Sequence, residues 1–174
     1  MGKTLIAMVL GIPLIAAAAR PTAGTLNDGQ VFALFDEANT ADIWTARLAM
    51  SRSRSADVRE LASMVIADHE GVQHAARELA KKLRVTVTPP AQDDSAARLA
   101  ETIQALSART GADFDRAYLA HELAFHRAAI DAVRGTLLPA AGDAELKALL
   151  TNVLGGFEHH LDETRRVAEK LGVR

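Results

Sequence analysis

Apolar residues recur three and four positions apart through most of this chain, the spacing that lines one face of an α-helix. Val31, Phe35, Ala38, Ala46 and Ala49 trace one stripe between Asn27 and Ser53, with Asn27 or Asp28 placed as its N-cap. After the short polar stretch 51–55, Val58, Leu61, Val65, Val72, Ala76, Leu79 and Leu83 trace a second. It closes on Lys81, Lys82 and Arg84, where cations suit the negative end of a helix dipole. So short a turn makes the first two helices antiparallel neighbours. Val85 to Asp94, with Val-Thr-Val-Thr and Pro89-Pro90, reads as an extended link, because no other segment offers it a strand partner.

A short helix is predicted over 95–109 on Leu99, Ile103 and Leu106, ended by Gly111. The third long helix runs from Asp113 to Arg134 on Phe114, Tyr118, Phe125, Ala129 and Val133, closed by Gly135 and Pro139. The fourth covers Asp143 to Leu171, on Leu146, Leu150, Val153, Phe157, Thr164, Ala168 and Leu171, with Gly172 as its stop. This pattern predicts an all-α four-helix bundle, with an additional short helix in the connection between its second and third long helices. That connection is long enough to cross the bundle, so both a parallel, ferritin-like arrangement of those two helices and an antiparallel one stay open.

Turning each helix by 100° per residue puts polar side chains inside the apolar stripes. Asn39 and Asp42 fall in the first, while Glu37 and Trp44 point away; Asp68 and His69 take the two shoulders of the second. Glu122 and His126 lie near the centre of the third, with His121 a quarter turn off, and His160 continues the fourth. His74 and His159 fall on outer faces. With about 1.5 Å of rise per residue, Asp42, His69, His126 and His160 all lie about 18–22 Å from the ends of their hairpins, near mid-bundle.

One carboxylate and three imidazoles, one per helix, form a nitrogen-rich donor set for a divalent ion such as Zn²⁺, Cu²⁺ or Fe²⁺. Glu122 and Asp68 add further ligands or orient the imidazoles. A hydrogen-bonded network without metal uses the same residues, since buried polar groups need partners in either case. Glu-x-x-His, expected on two helices of a di-iron bundle, is missing; Glu122 and His126, like Glu70 and His74, are four apart. No Gly-x-Ser-x-Gly elbow appears, which disfavours a hydrolase triad. Gly155-Gly156 marks a kink or a close helix approach in the fourth helix. Trp44 with Leu34 and Leu48 forms a small outer patch, against the short helix or a partner.

Composition narrows the field. The chain has 174 residues with 20 basic and 22 acidic side chains, a net charge of -2, and no basic tract to follow nucleic acid. Cysteine is absent, excluding disulfides, thiolate metal sites and cysteine nucleophiles. Met1 to Ala19 carries Lys3, then an apolar run ending in four alanines: a secretory signal peptide, too short for a membrane span and cut after Ala19 by the small-x-small rule, with Ala23-Gly24 as a later alternative. The expected organisation is a signal peptide over 1–19, a flexible segment over 20–27 and the bundle over 28–172, located in the periplasm or secreted, with no stable membrane anchor after cleavage.

Asp42-Ile43 with Arg47-Leu48-Ala49, Met64-Val65 with Asp68-His69, Phe114-Asp115 with Tyr118 and His126, and His160-Leu161 follow one another in this order. On these motifs the chain, from about Gly29 to Leu171, resembles the bacterial family known as domain of unknown function 4142. The resemblance implies an exported, ferritin-like bundle of a kind often labelled a membrane protein. Asp42 stands where the family usually has Glu, and Leu154-Gly155-Gly156 where it has Leu-Pro. The expectation is a periplasmic bundle that binds a divalent metal through Asp42, His69, Glu122, His126 and His160, in metal handling or stress protection rather than turnover. The alternative is a structural or interaction module of the cell envelope, with a metal-free polar core and an envelope protein or a second copy as its partner.

Overall fold

The computed structural model describes residues 26–173, and the segment read as a signal peptide lies outside them. Helix α1 spans Asp28–Arg52 and α2 Ala56–Lys82. A short α3, Ser95–Ser107, precedes α4, Gly111–Ala132. The chain then passes through a π-helical turn, Val133–Leu137, and the three-residue α5, Leu138–Ala140, into α6, Ala144–Lys170. Among the described residues no strand occurs, and no helix is long and apolar enough to cross a membrane.

Local chemistry starts and stops these helices. Asn27 and Gln30 cap α1 reciprocally, Ser55 accepts from the Val58 amide, and Asp143 accepts from the Glu145 and Leu146 amides. Arg84 lies beyond α2 rather than in its last turn, at φ 55, in a left-handed turn where the Val85 amide reaches the Ala80 carbonyl at 3.0 Å. Gly111, at φ 55, opens α4 instead of ending α3. The third long helix, α4, also winds on past its expected end. Gly135 has no positive φ and stops nothing, and the winding continues while Val133, Thr136 and Leu137 are buried.

Contacts at the bundle ends settle the direction of the helices. At one end Asp28 accepts from the Gly142 and Asp143 amides at 2.6 and 3.1 Å, and Lys82 pairs with Glu145. At the other, Arg52 donates to the Ser107 carbonyl at 3.0 Å, and Lys170 pairs with Asp57 at 2.7 Å. Helix α1 is therefore antiparallel to both α2 and α4, and α2 and α4 run the same way. The link after α2 crosses the start of α1, where the Thr88 amide reaches the Gly29 carbonyl at 3.3 Å, and α3 then packs along α1 and α4. A Cβ on Gly29 would lie 2.3 Å from the Thr86 carbonyl oxygen, so the crossing depends on a glycine there.

The core comes in two apolar halves. Phe35, Ile130, Leu146, Leu150 and Phe157 belong to one, while Val58, Val65, Phe114, Leu119 and Val167 belong to the other.

Candidate metal centre

Each long helix adds buried polar side chains to the same interior: Asn39 and Asp42 from α1, His69 from α2, Glu122 and His126 from α4, and His160 and Thr164 from α6. The four-residue spacing of Glu122 with His126, and of His160 with Thr164, keeps both members of a pair on one helix face. Phenylalanine rings enclose the imidazoles. Phe157 stacks on His69 with centroids 5.3 Å apart, and Phe125 meets His126 edge-on at 5.6 Å.

Three ring nitrogens and one carboxylate oxygen converge. His69 Nε2 lies 3.2 Å from His160 Nδ1 and 3.0 Å from Asp42 Oδ2. His126 Nε2 lies 3.2 Å from the same His160 nitrogen and 3.4 Å from the same Asp42 oxygen. An ion held tetrahedrally with bonds of about 2.0–2.1 Å keeps its ligand atoms about 3.3–3.4 Å apart. The contacts of His69 and His126 with His160 and with Asp42, 3.0–3.4 Å, are close to that spacing.

The outer ring nitrogens determine where the hydrogens are. His69 Nδ1 sits 2.9 Å from Asn39 Oδ1, an amide oriented by its own Nδ2, which donates to the Phe35 carbonyl at 2.7 Å. His126 Nδ1 faces the Glu122 carbonyl at 3.2 Å, and His160 Nε2 faces Asp68 Oδ2 at 2.9 Å. All three partner atoms accept, so all three rings donate outward. A neutral imidazole has one N–H, which leaves His69 Nε2, His126 Nε2 and His160 Nδ1 as bare lone pairs, the first two turned toward both His160 and Asp42. That arrangement is repulsive until a cation enters it. A single proton on His69 Nε2 would pair this ring with Asp42, yet His126 Nε2 and His160 Nδ1 would still face each other across 3.2 Å.

Burial favours the neutral rings. It lowers the pKa of His126 to about 4 against the pull of Asp42, and lowers that of His160 against the pull of Asp68. For Asp42 burial works the other way, but the hydrogen bond and charge that a protonated His69 would offer, with His126 beyond, outweigh it and hold the carboxyl down at about 2. Glu122 is pushed well above the usual carboxylate range by burial and by the charge of Asp42. Burial and the same two carboxyls raise the Tyr118 hydroxyl. Asp42 Oδ1 and Oδ2, Glu122 Oε2 and Tyr118 OH are buried without a hydrogen-bond partner.

Of the five expected ligands, His69, His126 and His160 group together, and Asp42 lies against His69 and His126. Glu122 stands one step back, grouped with Asp42 and His126 through atoms within 4.8 Å of one another. Asp68 orients His160 from the surface, His121 is half-buried against Phe125, and His74 and His159 are exposed. Three participants were not foreseen in these roles: Asn39 on His69, Tyr118 beside Glu122, and Thr45, whose hydroxyl donates to the Asp42 carbonyl at 3.0 Å and lies 3.5 Å from Glu122 Oε1. Their positions carried the signal, since Tyr118 precedes Glu122 by four residues and Thr45 follows Asp42 by three, each on the same helix face. Gly155-Gly156 makes no close helix approach: α6 runs unbroken through it, and a Cβ on either residue meets nothing within 4 Å. Trp44 remains exposed, with the Arg47 guanidinium 5.6 Å over its ring.

Fold and site define an all-helical bundle protein with a buried histidine–carboxylate cluster. The family model described as Domain of unknown function (DUF4142) matches residues 14–167, and the chain belongs to that family. No curated protein and no solved structure matches it significantly.

Proposed function

We propose that this protein is an exported, ferritin-like helical bundle that holds a divalent metal ion at mid-height, serving metal handling or stress protection rather than turnover. The observation that carries the reading is the set of three imidazoles, each donating outward, whose remaining nitrogens gather on His160 Nδ1, with those of His69 and His126 also facing Asp42 Oδ2. His69, His126, His160 and Asp42 would hold the ion, and their nitrogen-rich set suits Zn²⁺, Cu²⁺ or Fe²⁺. The ion would supply the missing positive charge and tie the four long helices together. The parallel α2 and α4, with a crossover between them, support the ferritin-like assignment. Export rests on the apolar run of Met1 to Ala19.

The test is a pair of melts. Adding Zn²⁺ or Cu²⁺ to chelator-treated protein should raise its melting temperature, because a ligand bound only by the folded state stabilises it by mass action. A protein indifferent to both ions at neutral pH would overturn the reading. Intact-mass measurement of the exported protein should find it beginning at Arg20 or within a few residues; retention of Met1 on membranes would overturn the localisation. The second reading, an envelope interaction module that docks an envelope protein or a second copy, is favoured by one observation, the exposed Trp44 with Arg47 above it.

A further inference from the structure

Asp42 has two carboxylate oxygens, and the histidines face only Oδ2. Its Oδ1 is fully buried and unpartnered, and so are Glu122 Oε2 and Tyr118 OH. Buried polar atoms in folded proteins nearly always have partners, so three orphans in one neighbourhood call for a ligand. The two carboxyls are close together: Asp42, Glu122 and His126 each offer a ligand atom within 4.8 Å of the others, and Glu122 Oε2 is 3.6 Å from His126 Nδ1. Tyr118, buried on α4, lies one helical turn before Glu122 on the same face.

Building on the metal reading above, we propose a second cation position beside the first, with Asp42 bridging the two. Oδ2 serves the nitrogen-rich position, and Oδ1 joins Glu122 and Tyr118 in an oxygen-rich one. The two positions select different ions. Imidazole donors suit Zn²⁺ and Cu²⁺, whereas carboxylate and hydroxyl oxygens suit a harder cation such as Mn²⁺. Two divalent ions bring four positive charges to two carboxylates, so the oxygen-rich position is the weaker and fills second.

Probe ions separate the two positions. Chelator-treated protein is loaded with one equivalent of Zn²⁺ and titrated with Mn²⁺, whose six-line electron paramagnetic resonance signal fades on binding. One further equivalent of Mn²⁺ is expected. Glu122→Gln should keep the Zn²⁺ and weaken Mn²⁺ binding by about 10- to 100-fold, and Tyr118→Phe should weaken it less. With Cu²⁺ in the first position, bound Mn²⁺ should broaden the Cu²⁺ signal, a readout of proximity that works in the unmutated protein even if a variant fails to fold. A protein that takes Zn²⁺ but no Mn²⁺ would overturn the second position and leave the first standing. Mn²⁺ bound equally by Glu122→Gln, or without effect on Cu²⁺, would place it on the surface and overturn the proposal too. Failure to retain any Zn²⁺ or Cu²⁺ would overturn both readings.

Discussion

His160 Nε2 lies 2.9 Å from Asp68 Oδ2, so one imidazole of the buried cluster is oriented by a carboxylate whose side chain is 56% exposed. The other two rings are held from inside, by Asn39 and by the Glu122 carbonyl. Asp68→Ala frees His160 to carry its proton on Nδ1, the nitrogen that faces the centre. Metal affinity should fall about 10- to 100-fold, the usual effect of losing an orienting partner. The stability of the metal-free protein should change by only about 0–1 kcal/mol, as for exposed pairs. Asp68→Asn retains an acceptor oxygen and should keep most of the affinity. Competition against a chromophoric chelator measures all three proteins, and unchanged affinity in the alanine variant would show that Asp68 does not set the ring.

Histidines on the two kinds of face should respond differently. His126→Ala removes a bare nitrogen from the centre together with a buried ring and its hydrogen bond to the Glu122 carbonyl, at a cost of about 1–3 kcal/mol in the metal-free protein. It should also abolish most of the stabilisation that Zn²⁺ confers. His74→Ala and His159→Ala change exposed side chains and should shift stability by no more than about 0.5 kcal/mol, with the metal effect intact. Chemical denaturation with and without Zn²⁺ checks both expectations, and a metal effect preserved in His126→Ala would exclude it as a ligand.

The helix spans were legible because their apolar spacing is regular; the fourth was expected over 143–171 and occupies Ala144–Lys170. Helical phase also put Asp42, His69, His126 and His160 inside. The direction of α4 relative to α2 was not legible, because a link that can cross the bundle is compatible with both topologies. Glu37 lies off the apolar stripe as expected, yet it is half-buried where the link brings Asp93 and Ser95 against it, a packing that one helix's periodicity cannot encode. The outer partners Asn39 and Asp68 depend on side-chain rotation finer than 100° per residue resolves. Gly135 misled because a glycine stops a helix only when it adopts positive φ, which is a property of the folded corner.

Glycines in two places should behave oppositely. Gly29→Ala puts a methyl group 2.3 Å from the Thr86 carbonyl oxygen, a backbone atom that yields only if the crossing link moves. Overpacking of this kind costs about 1–3 kcal/mol. Gly155→Ala and Gly156→Ala place a methyl group in open space on the exposed face of α6, so each should stabilise by up to about 1 kcal/mol through helix propensity alone. Urea unfolding midpoints test the contrast. A stable Gly29→Ala would mean that the link does not press on α1, and destabilisation by either α6 substitution would point to a contact partner on that face.

Acid and base should destabilise the metal-free protein for separate reasons. His126 binds its proton at about 4 when folded against an ordinary value of 6.5, and His160 shifts the same way, so below about pH 6.5 the unfolded chain takes up more protons and stability is lost on acidification. For His126 this amounts to on the order of 3 kcal/mol between pH 6.5 and 4. Glu122 acts in the opposite sense. Its carboxyl stays protonated in the fold while the unfolded chain ionises above about 4.5, so it removes stability as pH rises. Between about pH 4.5 and 6.5 Glu122 cancels part of the histidine effect, to which the half-buried His121 adds, so stability still rises with pH but less steeply. Below about pH 3.8 Asp42 adds to the acid loss, since its contribution disappears as pH falls toward about 2. Above pH 6.5 Glu122 acts unopposed and stability declines. Glu122→Gln should therefore steepen the rise below pH 6.5 and abolish the alkaline decline. Melting temperatures of both proteins across pH 3–9 in chelator would show it, and parallel profiles would mean that Glu122 is ionised in the fold.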